Sequence, residues 1–205
     1  MTVLKAAFTI ARKEKLLDEG ANPFTNFEIV KRGQSQREYL TFDELQRLNK
    51  AVCADDDTKR AFLFACYTGL RISDIRALTW KDVQNNRIEI KMQKTDDVLY
   101  VDLNDSAKAL LGKRSKQASD ASVFALPEEK RLGRVLVRWA KNAAIEKHIT
   151  FHVARHTFAT LLLTSGTDIY TASKLLGHKD VKVTQIYAKI VDEKKKAAIN
   201  SLPTL

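Results

Sequence analysis

Between Arg87 and Leu103 the chain alternates apolar and polar residues, as RIEIK and VLYVDL, around the turn sequence Lys94-Thr95-Asp96-Asp97. Alternation with period two gives each run one apolar face, which predicts a small antiparallel hairpin. Val83 and the Asn85-Asn86 turn extend it to a third strand. The other periodic stretches repeat at helical spacing. The predicted class is therefore mainly α with a small antiparallel β-sheet, an α+β fold.

In chain order, Leu4, Ala7, Phe8 and Ala11 predict one amphipathic helix over residues 2–17, with Glu19-Gly20-Ala21-Asn22-Pro23-Phe24 as its stop signal. A single helix forms no domain, so this one reads as the last helix of a larger N-terminal domain; the alternative is a helix packed on the rest of the chain. Residues 30–38, VKRGQSQRE, are polar and aperiodic and read as a linker. Thr41 and Glu44 then have the spacing of a capping box for a helix through Leu45 and Leu48. A helix over residues 58–67 stops near Gly69, and Arg71 falls in the turn before a helix carrying Ile72, Ile75 and Leu78.

Beyond the hairpin the pattern predicts a short helix over residues 105–113, a basic loop KRSKQASDAS, and a helix over residues 128–145. The last has an apolar stripe through Leu132, Val135, Leu136 and Trp139 and many basic residues, which suit either solvent or a DNA surface. The helix after His152 is expected to bury Phe158, Leu161 and Leu162 and to end at Gly166. Asp168 caps the helix leading to Leu175 and Leu176. Tyr187 shares a helical face with Val183, Ile186 and Ile190, and residues 191–202 read as a terminal amphipathic helix.

A chain of 205 residues with 44% hydrophobic content can bury a sizeable core in one or two domains. No run approaches the roughly 18 uncharged apolar residues a membrane span requires. The N-terminal MTVLKAAFTIARKEK lacks the pattern of a secretory signal, so the expected setting is the cytoplasm, with no membrane partner. Cys53 and Cys66 are too few for a disulfide framework and read as reduced thiols without chemistry. A net charge of +10 and a pI near 9.6 suit a polyanionic partner, nucleic acid first, and suit a merely basic surface equally well on charge alone.

The chemistry concentrates in residues 150–187. His152 and Arg155 are three residues apart at a helical start and can converge on one anion; His178 follows a glycine, and Tyr187 follows His178 by nine residues. These groups are donors plus a phenol able to act as a nucleophile, a combination suited to attack on a phosphate. His152 and His156 also have the i, i+4 spacing of zinc helices, but Val153 stands where a metalloprotease needs a carboxylate, and Arg155 would repel the cation. His148 and His156 therefore read as structural, His156 through a bond within its own helix.

The words HVARHTFAT, LLGH and TQIYAK, with TGLRISDIRALTW upstream, resemble the boxes of the tyrosine recombinase (phage integrase) family over roughly residues 39–205. The resemblance implies the catalytic-domain fold of that family over residues 39–205, with residues 1–38 as the end of its core-binding domain plus linker. It implies catalysis by Arg71, Lys94, His152, Arg155, His178 and Tyr187. Tyr187 would be the nucleophile, forming a 3′-phosphotyrosyl intermediate, and Lys94 the general acid, with Asp74 in support. No cofactor and no metal is required, because paired arginines neutralise the phosphate. The implied partner is double-stranded DNA, bound by a homo-oligomer, a tetramer joined through the C-terminal helix, with accessory DNA-bending proteins, on the nucleoid of a bacterium. A type IB topoisomerase, which shares the constellation, and a noncatalytic DNA-binding module are the competing expectations.

Overall fold

A computed structural model of the chain describes residues 2–17, 37–94, 96–112, 119–187 and 199–200. Two compact units divide the chain, Met1–Gln36 and Arg37–Leu205. In the first, α1 (Thr2–Lys13) ends four residues earlier than the periodicity predicts. Lys15 takes a left-handed conformation (φ 56°), and Leu16 N–H reaches back to the Ala11 carbonyl at 2.9 Å, a wrap that closes the helix without glycine. The expected linker and the terminal helix over 191–202 lie outside the described residues, apart from 37–38 and 199–200.

The second unit is built around α3 (Asp56–Thr68), in which every residue from Ala61 to Cys66 is buried. A helix apolar on all sides has to be central, and the others cover it. Its start lies two residues before the expected one because Asp55 caps it, accepting from Thr58 N–H at 2.7 Å. The Phe62 ring meets Trp139 of α6 (Glu129–Asn142) edge-on at 5.6 Å and Phe151 of α7 (Phe151–Thr164) at 5.7 Å, so one aromatic side chain joins three helices. Before these, α2 (Phe42–Lys50) opens with the predicted capping box, in which Thr41 and Glu44 exchange bonds of 2.7 and 3.2 Å. After α3 comes the short α4 (Ile72–Ala77).

The sheet has the predicted three antiparallel strands in order β1 (Val83–Gln84), β2 (Arg87–Lys91) and β3 (Val98–Asp102). Ile88 pairs with Val101 and Ile90 with Leu99, all four on the buried face. Asn85 and Asn86 both have positive φ, the geometry of a type I′ turn. α5 (Asp105–Leu111) packs on α3, and residues 113–118 of the expected basic loop lie outside the described residues. α6 stops three residues short of expectation because Ala144 turns left-handed (φ 53°) and Ile145 N–H bonds the Ala140 carbonyl at 3.0 Å.

Along α7, Phe158 is buried as expected, whereas Leu161 and Leu162 are only half-buried and Leu163 is buried in their place. Phe158, Ala159 and Leu163 form a small second core with Ala172, Leu176 and Tyr187, below α8 (Ile169–Leu175) and the four-residue α9 (Lys182–Gln185). Cys66 is wholly buried, which pushes its thiol far above the ordinary range; Cys53 is half-buried, and neither is in a disulfide.

Candidate active site

Arg155 stands on the second turn of α7, whose start Thr150 fixes by accepting from Val153 N–H at 3.3 Å. Its side chain is only 6% exposed. One terminal nitrogen donates to the Gly69 carbonyl at 2.6 Å, and the other donates to the Leu176 carbonyl. Both carbonyls close helices, α3 and α8, where the last carbonyls lack helical partners and carry the negative end of the helix dipole. Burial first, then the facing charge of Arg71, push the Arg155 pKa down to about 10, which leaves it a cation at neutral pH.

Gly69 makes this contact possible. Its φ is +69°, and a Cβ there would stand 2.4 Å from Phe158 Cδ1 and 3.2 Å from Leu176 Cδ2, so only glycine lets the end of α3 touch α7 and α8 this closely. Two residues on, Arg71 is the N-cap position of α4 but makes no capping bond with its side chain. Its guanidinium instead lies 3.3 Å from Met92 Sδ and 4.0 Å from Asp74 Oδ2. Asp74 is 2% exposed; its Oδ1 accepts from the Gln93 N–H at 2.9 Å, while Oδ2 has no hydrogen bond among the described residues, and the carboxylate charge reaches Arg155 as well as Arg71.

The LLGH word has a definite backbone meaning. Gly177 (φ 61°) ends α8, its N–H bonds the Lys174 carbonyl at 2.9 Å, and His178 N–H bonds the Ser173 carbonyl at 3.0 Å. That pair is the Schellman closure, which fixes the direction of the residue after the glycine. His178 Nδ1 then pairs with the buried Thr184 hydroxyl at 2.8 Å. Burial, followed by the charges of Arg155, Arg71 and Arg37, pushes the His178 pKa down to about 4, so its imidazole is neutral.

Tyr187 is 4% exposed, and its hydroxyl is hydrogen-bonded with Nδ1 of His156, the rings tilted at 55° with centroids 5.6 Å apart. Burial raises the phenol above its usual value, and the charges of Arg37 and Arg155 work against that rise. Arg71, Asp74, Arg155, His178 and Tyr187 thus come together. His152 is exposed at the N-terminal end of α7, where its charge is felt by His156, and makes no hydrogen bond among the described residues. Lys94 is exposed in the turn between β2 and β3, one residue past the Gln93 that holds Asp74, and makes no ion pair among the described residues. No cluster suited to a metal ion occurs among the described residues. Two facing guanidiniums, a neutral imidazole and a phenol can hold an oxyanion and present a nucleophile to it.

The model of the phage integrase family matches residues 38–194. The chain belongs to the phage integrase family. Tyrosine recombinase XerA of Saccharolobus solfataricus is 36% identical to it over 162 residues, 76% of this chain and 54% of the relative. Tyrosine recombinase XerD of Halalkalibacterium halodurans is 30% identical over 196 residues, 87% of this chain and 65% of the relative. The chain thus spans about half to two thirds of the length of these relatives. Among solved structures, an XerA recombinase superimposes with a TM-score of 0.66 at 26% identity, covering 87% of this chain and 69% of that one. A lambda integrase dimer bound to a COC′ core site gives 0.74 at 22% identity over 91% of this chain and 70% of that one, a likeness of fold.

Two expectations for this phage integrase domain need correction. His156 does not bond within its own helix; α7 carries it across to Tyr187, 31 residues away in sequence. Nor does Tyr187 lie on a face with Val183 and Ile186, which are 46% and 38% exposed. The helix carrying Val183 ends at Gln185, Ile186 follows it, and Tyr187 turns inward past both, its N–H on the Thr184 carbonyl at 3.0 Å. Arg37, whose charge reaches His156, His178 and Tyr187, falls in the stretch read as linker and carries no sequence signal of a role.

Proposed function

We propose that this chain is the catalytic part of a site-specific DNA recombinase, residues 39–205 forming the catalytic domain and residues 1–38 the end of a core-binding domain with its linker. The observation that carries the reading is the cluster in which Arg71 and Arg155 act on each other and on His178, and Arg155 acts on the Tyr187 phenol, two cations grouped with a candidate nucleophile. Relatives named tyrosine recombinase, and a lambda integrase structure with a core-site DNA, support it. The net charge of +10 suits a DNA partner.

In this mechanism Arg71 and Arg155 hold the two nonbridging oxygens of a phosphodiester and stabilise the charge that builds on them, so no metal or cofactor is required. Asp74 steadies Arg71 from behind. His152 and His178 add hydrogen bonds to the same oxygens or help deprotonate Tyr187. The Tyr187 oxygen attacks phosphorus, the bond to the 5′-oxygen breaks, and Lys94 protonates the departing oxygen. The 3′-phosphotyrosyl link keeps the energy of the phosphodiester, so a 5′-hydroxyl from another strand can reverse the step and rejoin the DNA. The working assembly is a tetramer on DNA joined through the C-terminal segment, assisted by DNA-bending proteins, in the cytoplasm on nucleoid DNA.

The test is a covalent protein–DNA adduct that survives denaturation. Tyr187→Phe should abolish it while leaving DNA binding intact, because only the nucleophilic oxygen is lost. An adduct formed by that variant would overturn the assignment.

A further inference from the structure

Tyr187 belongs to an otherwise apolar buried cluster with Phe158, Ala159, Leu163, Ala172 and Leu176, and the one hydrogen bond of its hydroxyl among the described residues is with His156. The other two histidines near the site are committed or remote. His178 uses Nδ1 on Thr184, and His152 is exposed on the outer turn of α7. His156 is half-buried, four residues beyond His152 and next to Arg155 in sequence, so its backbone is as firmly held as the arginine's. Resting on the recombinase reading, we infer that His156 is the base that takes the phenol proton of Tyr187, which leaves His152 and His178 to the phosphate.

A neutral imidazole with its proton on Nε2 offers the Nδ1 lone pair to the phenol O–H. As the Tyr187 oxygen bonds phosphorus, its proton passes to Nδ1 and an imidazolium forms. The phosphorus bond to the 5′-oxygen breaks, that oxygen keeps the electron pair, and the general acid protonates it. On rejoining, the imidazolium returns its proton to the Tyr187 oxygen as the phosphotyrosyl bond breaks.

The electrostatics set the timing. Burial, then Arg37, His152 and Arg155, press the His156 pKa down to about 4, and His178 lies close enough to feel its charge. Transfer before attack is therefore strongly uphill, since burial holds the phenol above its usual value. Transfer during attack is not, because a phenolic oxygen loses its basicity as it bonds phosphorus. The incoming phosphodiester also brings a negative charge that offsets Arg37 and Arg155 and makes the imidazole more basic.

Two measurements test the assignment. In the DNA-free chain, the imidazole ¹⁵N resonances of His156 are assigned by comparison with His156→Gln and followed in Tyr187→Phe. The Nδ1 resonance should move when the phenol hydroxyl is removed; if it stays, the contact and the proposal fall together, whatever the chain does to DNA. On nicked DNA, single-turnover adduct formation should drop about 10²- to 10⁴-fold in His156→Ala and His156→Gln, with DNA affinity unchanged. Added imidazole should restore part of the rate to His156→Ala but none to His156→Gln, whose side chain fills the space, and a merely structural histidine would give no such rescue. Substituting sulfur for the bridging 5′-oxygen should help neither variant, because their defect lies in attack. A His156→Ala rate equal to wild type removes His156 from the chemistry. If wild type forms no adduct although the resonance responds, the recombinase reading fails and the proton transfer with it, while the contact stands.

Discussion

Taking a guanidinium out of water is costly, and at Arg155 the cost is met by two carbonyls that α3 and α8 leave unpaired at their ends. A lysine has one compact ammonium and cannot reach both. Arg155→Lys should therefore destabilise the fold by about 2 kcal/mol, the scale of a charged hydrogen bond lost in a buried site, read as a lower urea midpoint. It should also slow adduct formation by about 10²-fold, since one donor to the developing charge is lost. Unchanged stability would show that the carbonyls do not hold the side chain. The histidines give a pH signature. His156 and His178 fold with pKa values near 4 against an ordinary 6.5, so between those values the unfolded chain binds more protons than the folded one. Their contribution is intact above 6.5 and is lost as the pH falls toward 4. His178→Gln should lose less urea resistance than wild type between about pH 7 and about pH 4.5, and an equal loss would refute the assignment. The grouping of Arg71, Arg155, His178 and Tyr187 was legible in sequence because each lies in a short word that resembles one of the family's boxes. The partner of His156 was not, because a pairing across 31 residues depends on how α7 and the chain after α9 meet in space.

Glycine closes the helices that aim the site, and the two closures differ in what lies beyond the missing Cβ. At Gly177 it would meet Met92 Sδ at 2.8 Å, the far end of a flexible thioether. At Gly69 it would meet the Phe158 ring at 2.4 Å, packed in the second core. Both positions are left-handed, so either alanine costs about 1–2 kcal/mol in the backbone. Gly177→Ala should lose about that much and shift Met92 away from Arg71. Gly69→Ala should lose about 1–3 kcal/mol more, because the ring can yield only by opening the packing. Urea midpoints would check the order, and a reversal would contradict the packing described. The same contrast explains how far the fold could be read from sequence. The starts capped by Thr41 and Asp168, the stop at Gly69 and the Asn85-Asn86 turn were legible because the side chains that make them are specialised for those conformations. The ends of α1 and α6 were not, because Lys15 and Ala144 adopt positive φ with no compositional mark. The inward turn of Tyr187 was missed because apolar spacing at Val183 and Ile186 suggested burial where both are exposed.

At the scale of the molecule, the sheet and the helical body meet at the turn between β2 and β3. Gln93 N–H holds Asp74 of α4 at 2.9 Å, Met92 Sδ touches Arg71, and Asp97 pairs with Lys179, the residue after His178, at 3.1 Å. The turn is therefore strapped to both halves of the helical site, and Lys94 projects from between the straps. Such a position suits a proton donor that must reach the leaving group without entering the arginine pair. In the proposed reaction, cleavage expels a 5′-alkoxide far too basic to leave unaided near neutral pH, so a donor would have to stand beside the bridging oxygen. Sulfur in that bridge leaves as a thiolate of pKa about 8.5, by analogy with cysteine, and needs no such proton. Lys94→Ala should therefore cleave ordinary DNA very slowly and regain most of its rate on the sulfur-bridged substrate. Tyr187→Phe should gain nothing, since its defect lies in attack rather than departure. The straps add a second expectation. Asp97→Ala cuts one tether and keeps the ammonium, so it should slow cleavage of ordinary DNA less than Lys94→Ala does and recover with sulfur in the same way. Cleavage rates of the three variants on both substrates decide the matter: a Lys94→Ala chain equally slow on sulfur and oxygen would remove Lys94 from the site, and an Asp97→Ala chain indifferent to both would show that the strap does not aim it.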